Sequence, residues 1–113
     1  VKIKRGGLYV ADLNPTLGTE TGKLRPVVVI QSDLLNEIEH PSTWIIPCTT
    51  RLTPPNILRV HLPKGSGGND KDCDVMVDQS RVIDNRRFRK YLGEVPSLLF
   101  EEIVEKIKHS GGF

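Results

Sequence analysis

An arginine at the mouth of an apolar run and two threonines at the end of another carry most of the chemistry this chain can offer. Arg25-Pro26 opens onto Val27, Val28, Val29, Ile30 and Gln31, and Thr49-Thr50 closes the run that begins at Trp44. Proline locks its own φ and biases the preceding residue toward extended backbone, so the Arg25 guanidinium is aimed by stiff chain. Upstream, the glycine-punctuated segment 13–24 holds Thr19, Glu20, Thr21 and Gly22; downstream, Asp78, Gln79 and Ser80 end a further apolar run. A fixed guanidinium, a carboxylate and hydroxyls at strand ends are suitable groups for binding a phosphodiester and stabilising its transition state. Each has an ordinary reading when taken alone: a solvated charge, a turn threonine, a strand terminator.

Other chemistries find little support. The chain has no HExxH, GxSxG or GxxxxGK[ST] pattern. Gly65, Gly67 and Gly68 lie between two predicted strands with no helix behind them, which predicts a flexible loop rather than a phosphate cradle. His40 precedes a proline in a polar loop, His61 falls on the solvent side of a strand, and His109 belongs at a helix C-terminus. Cys48 and Cys73 form no CxxC pair, so buried or half-buried thiols are expected, with no metal and no cofactor. What remains is chemistry done without a metal and without histidine.

The elements that must position these groups follow from length and periodicity. A chain of 113 residues with net charge +2 predicts a single domain over 1–113. It contains no apolar run near the ~20 residues of a membrane span and no leader-like apolar stretch at the N-terminus, which predicts a cytoplasmic protein. Four cations cluster around Phe88 between Arg86 and Lys90, a patch suited to attracting a phosphate backbone. Alternating or β-branched runs predict strands over 8–13, 27–31, 43–47, 57–62, 74–79 and 90–95. Leu99, Phe100, Ile103, Val104 and Ile107 recur at the helical period, predicting an amphipathic helix over 97–109; shorter helical turns are expected at 32–38 and 84–88. The class is mainly β with α: a small, closed or nearly closed barrel carrying a C-terminal helix.

Taken in order, the segments 5–33, 45–50 and 62–84 and the C-terminal helix resemble the MazF/PemK/Kid family of toxin endoribonucleases, most specifically in NPTLGTETGKLRPVVVI and DQSRVID. The resemblance implies an SH3-like barrel of the CcdB/PemK type that acts as a homodimer and cleaves single-stranded RNA at short sequences. It also implies a cognate antitoxin whose extended tail covers the RNA groove, with DNA met only indirectly through the antitoxin complex. Residue by residue, the arginine of the family's RP motif falls on Arg25 and its catalytic threonine on Thr49. Thr19, Glu20, Thr21 and Gly22 look like the mobile substrate loop, and Asp78, Gln79 and Ser80 like groove residues; Pro26 and Thr50 stand beside the two catalytic positions. Some Kid-like members carry a histidine before the loop glutamate and an arginine two residues before the aspartate of DQ, where this chain has Thr19 and Met76.

Without a metal, RNA is cut by its own 2′-hydroxyl, which leaves a 2′,3′-cyclic phosphate and a 5′-hydroxyl. In that scheme Arg25 is the charge stabiliser, Thr49 donates to a non-bridging oxygen, and Glu20 or Asp78 accepts the 2′-proton. The resemblance also suggests proton transfer by Arg25, although a guanidinium is a poor base at neutral pH. The competing expectation is a barrel that binds without cutting, as in the CcdB-like topoisomerase poisons.

Overall fold

Strands form almost everywhere that alternation or β-branching predicts them. The computed structural model describes residues 2–14, 18 and 23–110. In chain order these residues form β1 (Gly7–Asp12), β2 (Leu24–Val29), α1 (Asp33–Glu37), β3 (Ser42–Thr49), β4 (Arg59–Leu62), β5 (Cys73–Met76), β6 (Arg81–Asp84), β7 (Phe88–Glu94) and α2 (Ser97–Ser110). Single 3-10 turns occupy Val77–Gln79 and Asn85–Arg87. Every ladder is antiparallel, in the order β4-β5-β3-β2-β1-β7, with β6 also paired to β3. Strand β3 is the hub: Ser42 to Ile45 pair with β6, whereas Cys48 and Thr49 pair with β5.

Because side chains alternate across a strand, the sheet buries apolar residues on both faces. One cluster joins Leu8, Val28, Ile46, Cys48, Val60 and Val75 to Ile103 of α2, with Leu99, Phe100 and Ile107 packed around it. The helical spacing of these four residues is what turns one stripe of α2 onto the sheet. The other cluster gathers Tyr9, Ala11, Val27, Val29, Ile45, Ile83 and Phe88. Tyr9 is fully buried, its ring edge-on to Phe88 at 5.3 Å. Its hydroxyl donates to the Lys2 carbonyl at 2.8 Å and accepts from the Lys4 N–H at 3.0 Å, and burial pushes its pKa up.

Three local departures from the sequence expectation have physical causes. Residues 81–84 lie outside the predicted strands but form β6; Ile83 alone is buried there, too little to make a periodic signal. The strand expected over 74–79 stops at Met76, where Val77 turns inward and donates its N–H to the Leu58 carbonyl at 3.0 Å. Strand β2 starts at Leu24, two residues before Pro26, and the missing proline donor is tolerated because pairing with β3 begins only at Val27.

The glycine-rich segment is a packed corner rather than the flexible loop expected. Asn69, buried, donates to the Pro63 and Lys71 carbonyls at 3.1 and 2.8 Å and accepts from the Gly67 N–H at 3.0 Å. Gly68 has φ +87°, and a Cβ there would lie 2.2 Å from the Leu92 carbonyl oxygen of β7. Only glycine permits this approach of backbone to backbone.

Candidate active site

Arg25 sits in β2 opposite Ala11 of β1, half-buried. The β2–β3 ladder ends with Val27 opposite Pro47, and Arg25 and Thr49 each lie two residues beyond that pair on their own strands. Alternation along each strand puts both residues in step with Val27 and Ile45, on the face opposite Val28, Cys48 and α2. The Arg25 Nη1 donates to the Cys48 carbonyl at 3.5 Å, which ties the guanidinium to the backbone just before Thr49.

Thr49 is the last residue of β3 and half-buried. Its Oγ1 accepts the Arg51 N–H at 3.1 Å, a local turn that fixes the hydroxyl while leaving its proton as a donor. Thr50 follows it, exposed. The next two ladders continue the line: Thr49 faces Asp74 of β5, and Asp74 faces His61 of β4. Thr49, Asp74 and His61 thus form one row across three strands, and Arg25 of β2 meets its end at the Cys48 carbonyl.

Asp74 has no counterpart among the groups singled out from sequence. It is 2% exposed, and its Oδ2 accepts from the Thr53 N–H at 3.0 Å and the Thr53 hydroxyl at 3.5 Å. Its Oδ1 lies 3.3 Å from Nδ1 of His61, and Arg59 Nη1 stands 3.9 Å from Oδ2. The only signal in the sequence was a carboxylate inside an apolar strand, CDVM, all four residues of which are buried. His61 does project to the solvent side, as expected, but its ring is half-covered and meets this carboxylate.

The remaining expected residues fall in different places. Asp78, Gln79 and Ser80 lie in the turn between β5 and β6, beside the stretch of β3 that neither strand pairs; Asp78 is exposed, the other two half-buried. Pro26 pairs with Val10 and lines a cleft of about 300 Å³ with Gly68 and Leu92, which Arg25 also borders. Thr19, Glu20, Thr21 and Gly22 lie outside the described residues. Met76, where Kid-like relatives carry an arginine, is buried at the end of β5.

Part of the basic cluster is engaged structurally. Arg86 pairs with Asp84, Arg87 donates to the Asp12 carbonyl at 3.1 Å, and Arg89 lies 3.6 Å from the Asp12 carboxylate. The last two therefore pin the exit of β1 into the segment that precedes Arg25. Cys48 and Cys73 are buried free thiols, as expected. A hydrogen bond between them, with burial, pushes the Cys48 thiol well up, and the same bond draws that of Cys73 down. Among the described residues, no three His, Cys, Asp or Glu side chains converge as a metal-binding group.

A family described as PemK-like, MazF-like toxin of type II toxin-antitoxin system matches residues 4–110. The chain belongs to this family. It is 32% identical over 111 residues to an Endoribonuclease MazF of Staphylococcus saprophyticus, a match covering 97% of this chain and 92% of the relative. A crystal structure of MazF from Deinococcus radiodurans superimposes with a TM-score of 0.85 at 25% identity, covering all of this chain and 99% of that one. A MazE-MazF crystal structure from the same organism gives a TM-score of 0.79 at 25% identity and covers 98% of that chain. The mainly β architecture with a C-terminal helix is therefore the barrel-like fold of MazF toxins, and the segments that carried the resemblance in sequence are those that hold Arg25, Thr49 and Asp74.

Proposed function

We propose that this MazF-like toxin is an endoribonuclease that cuts single-stranded RNA, mRNA included, at short sequences and so arrests translation and growth. The observation that carries this reading is the convergence of Arg25 and Thr49 on one face at the ends of β2 and β3. In the proposed step the 2′-oxygen attacks the adjacent phosphorus, the bond to the 5′-oxygen breaks, and a 2′,3′-cyclic phosphate and a 5′-hydroxyl result. Arg25 makes two donor contacts to the phosphorane oxygens, for which a planar guanidinium is suited. Thr49 donates its hydroxyl to a non-bridging oxygen while its own lone pair is occupied by Arg51. Glu20 or Asp78 takes the 2′-proton, and water supplies the proton to the departing 5′-oxygen. Thr19, Thr21, Gly22, Pro26, Thr50, Gln79 and Ser80 complete the substrate groove, and no cofactor is required.

Three partners follow from the same reading. A MazE-type antitoxin covers the groove, in line with the MazE-MazF assemblies among the solved structures; DNA is met only through that complex. The chain acts as a homodimer in the cytoplasm. Support for dimerisation comes from exposed apolar side chains: Trp44 and Val82 are cross-strand partners, 41% and 58% exposed, and Leu34 of α1 and Ile38 just after it are more exposed still. Trp44 also lines a cleft of about 310 Å³ with Ile30, Val104 and Ile107. Large apolar side chains left exposed in this way suit an association site. Among the described residues no helix is long and apolar enough to cross a membrane.

Incubation of the purified chain with long single-stranded RNA tests the reading. Cleavage is expected to persist in excess EDTA and to vanish when one 2′-deoxy nucleotide stands immediately 5′ of the cut. Intact RNA would return the choice to a barrel that binds without cutting, the alternative the family match disfavours. Cutting of the 2′-deoxy substrate at its usual position would exclude the cyclic-phosphate route.

A further inference from the structure

Strand β5 carries an unusual burden. Asp74 is almost wholly buried in a strand whose other residues are all apolar or sulfur-bearing, and a carboxylate in such a place costs several kcal/mol unless it is well bonded. A valine or threonine would suit the strand better, so the bonds that Asp74 makes are the reason to look at it.

Those bonds close a ring around Thr49. The backbone leaves the sheet at Thr49, whose hydroxyl oxygen accepts the Arg51 N–H at 3.1 Å. Two residues later Thr53 is held by its N–H and hydroxyl on Asp74 Oδ2. Asp74 is itself the cross-strand partner of Thr49. The second carboxylate oxygen meets His61, its cross-strand partner on the other side, which braces the carboxylate from β4. The 50–53 segment is thus tied at one end to Thr49 of β3 and at the other to Asp74 of β5.

We propose that Asp74 is a positioning residue for RNA cleavage: it clamps the segment 50–53 and thereby sets the rotamer of the Thr49 hydroxyl. This rests on the nuclease reading given above. Loss of the clamp releases Thr53, then Arg51, and the Thr49 donor drifts from the phosphate oxygen; displacements near 1 Å cost on the order of a hundredfold in rate. Because the effect runs through Thr49, it belongs in kcat rather than in KM.

The test is a double-mutant cycle on RNA cleavage, with kcat and KM measured for Asp74→Ala, Thr49→Ala and the pair, each checked for an unchanged thermal transition. Asp74→Ala is expected to lower kcat roughly tenfold or more with KM little changed. In the Thr49→Ala background the same substitution should cost no more than about twofold, since the hydroxyl it positions is gone. Asp74→Asn keeps an oxygen for Thr53 and should restore most of kcat, and amide exchange at Arg51 and Thr53 should quicken in Asp74→Ala but not in Asp74→Asn. Losses that multiply in the double variant, or an unchanged kcat in folded Asp74→Ala, would overturn the proposal. Should Asp74→Ala fail to fold, folded Asp74→Val takes its place in the cycle with the same expectations, since it removes both carboxylate oxygens and fills the buried strand position. Failure of the nuclease reading is seen separately, as wild-type protein that leaves the RNA intact.

Discussion

The guanidinium of Arg25 reaches across from β2 to the main-chain oxygen of Cys48 at 3.5 Å, one residue before Thr49. The contact is at the long limit of a hydrogen bond, and it holds a charged donor and a neutral one on adjacent strand ends. Arg25→Ala is expected to lower the RNA cleavage rate by about 10² to 10³, the loss seen when one transition-state charge donor is removed. Thr49→Ala should lose less, because a neutral hydroxyl makes a weaker hydrogen bond than a guanidinium. Initial rates on one RNA, with unchanged thermal transitions for both variants, check the order.

The proposed homodimer is open to a direct measurement. Sedimentation at micromolar concentration should give twice the 12.6 kDa chain mass. Trp44→Glu places a charge in the exposed apolar surface and should shift the population to the monomer without unfolding it, since Trp44 is 41% exposed. A monomeric wild-type protein across that range would remove the dimer from the reading.

Two glycines with similar backbone separate conformation from crowding. Gly65 and Gly68 both have positive φ, +83° and +87°, but a Cβ at Gly65 meets open space, whereas one at Gly68 runs into the Leu92 carbonyl. Gly65→Ala should cost about 1 kcal/mol, the left-handed strain alone. Gly68→Ala should cost about 3 kcal/mol or more, because backbone on one side must move. Urea unfolding of the two variants gives the comparison.

Asp33 provides a pH-dependent contribution. Its Oδ1 accepts the Arg5 N–H at 2.7 Å and the Asn36 side-chain N–H at 3.1 Å, and these bonds, the Arg5 one foremost, hold its carboxyl below its ordinary value of 3.8. A depressed folded pKa means the unfolded chain takes up the proton first as pH falls. The stabilisation is therefore complete above the ordinary carboxylate value and is lost as pH falls through the lower folded value. Asp33→Asn should lower Tm at pH 7, and the gap should narrow below about pH 4. A gap that stayed constant down to the acid limit would show that the charge is not the source.

What the sequence determined by itself is whatever local pattern can encode. The period of Leu99, Ile103 and Ile107 was enough for α2, and the β-branched run after Pro26 was enough for most of β2, because burial of one stripe or one face is a property of consecutive residues. The motifs around Arg25 and Thr49 likewise indicated the family before any coordinates. Tertiary structure decided the rest. Strand β6 has one buried apolar residue and exists because β3 offers it an unpaired edge, a long-range fact with no local trace. The glycine corner is rigidly packed because β7 passes within contact of Gly68, a neighbour far along the chain. Above all, the row of Thr49, Asp74 and His61, and the approach of Arg25 to its end, depend on register, and register is set by pairing between strands that are distant in sequence. That is why Asp74 read as an ordinary strand residue until its partners across the sheet were seen.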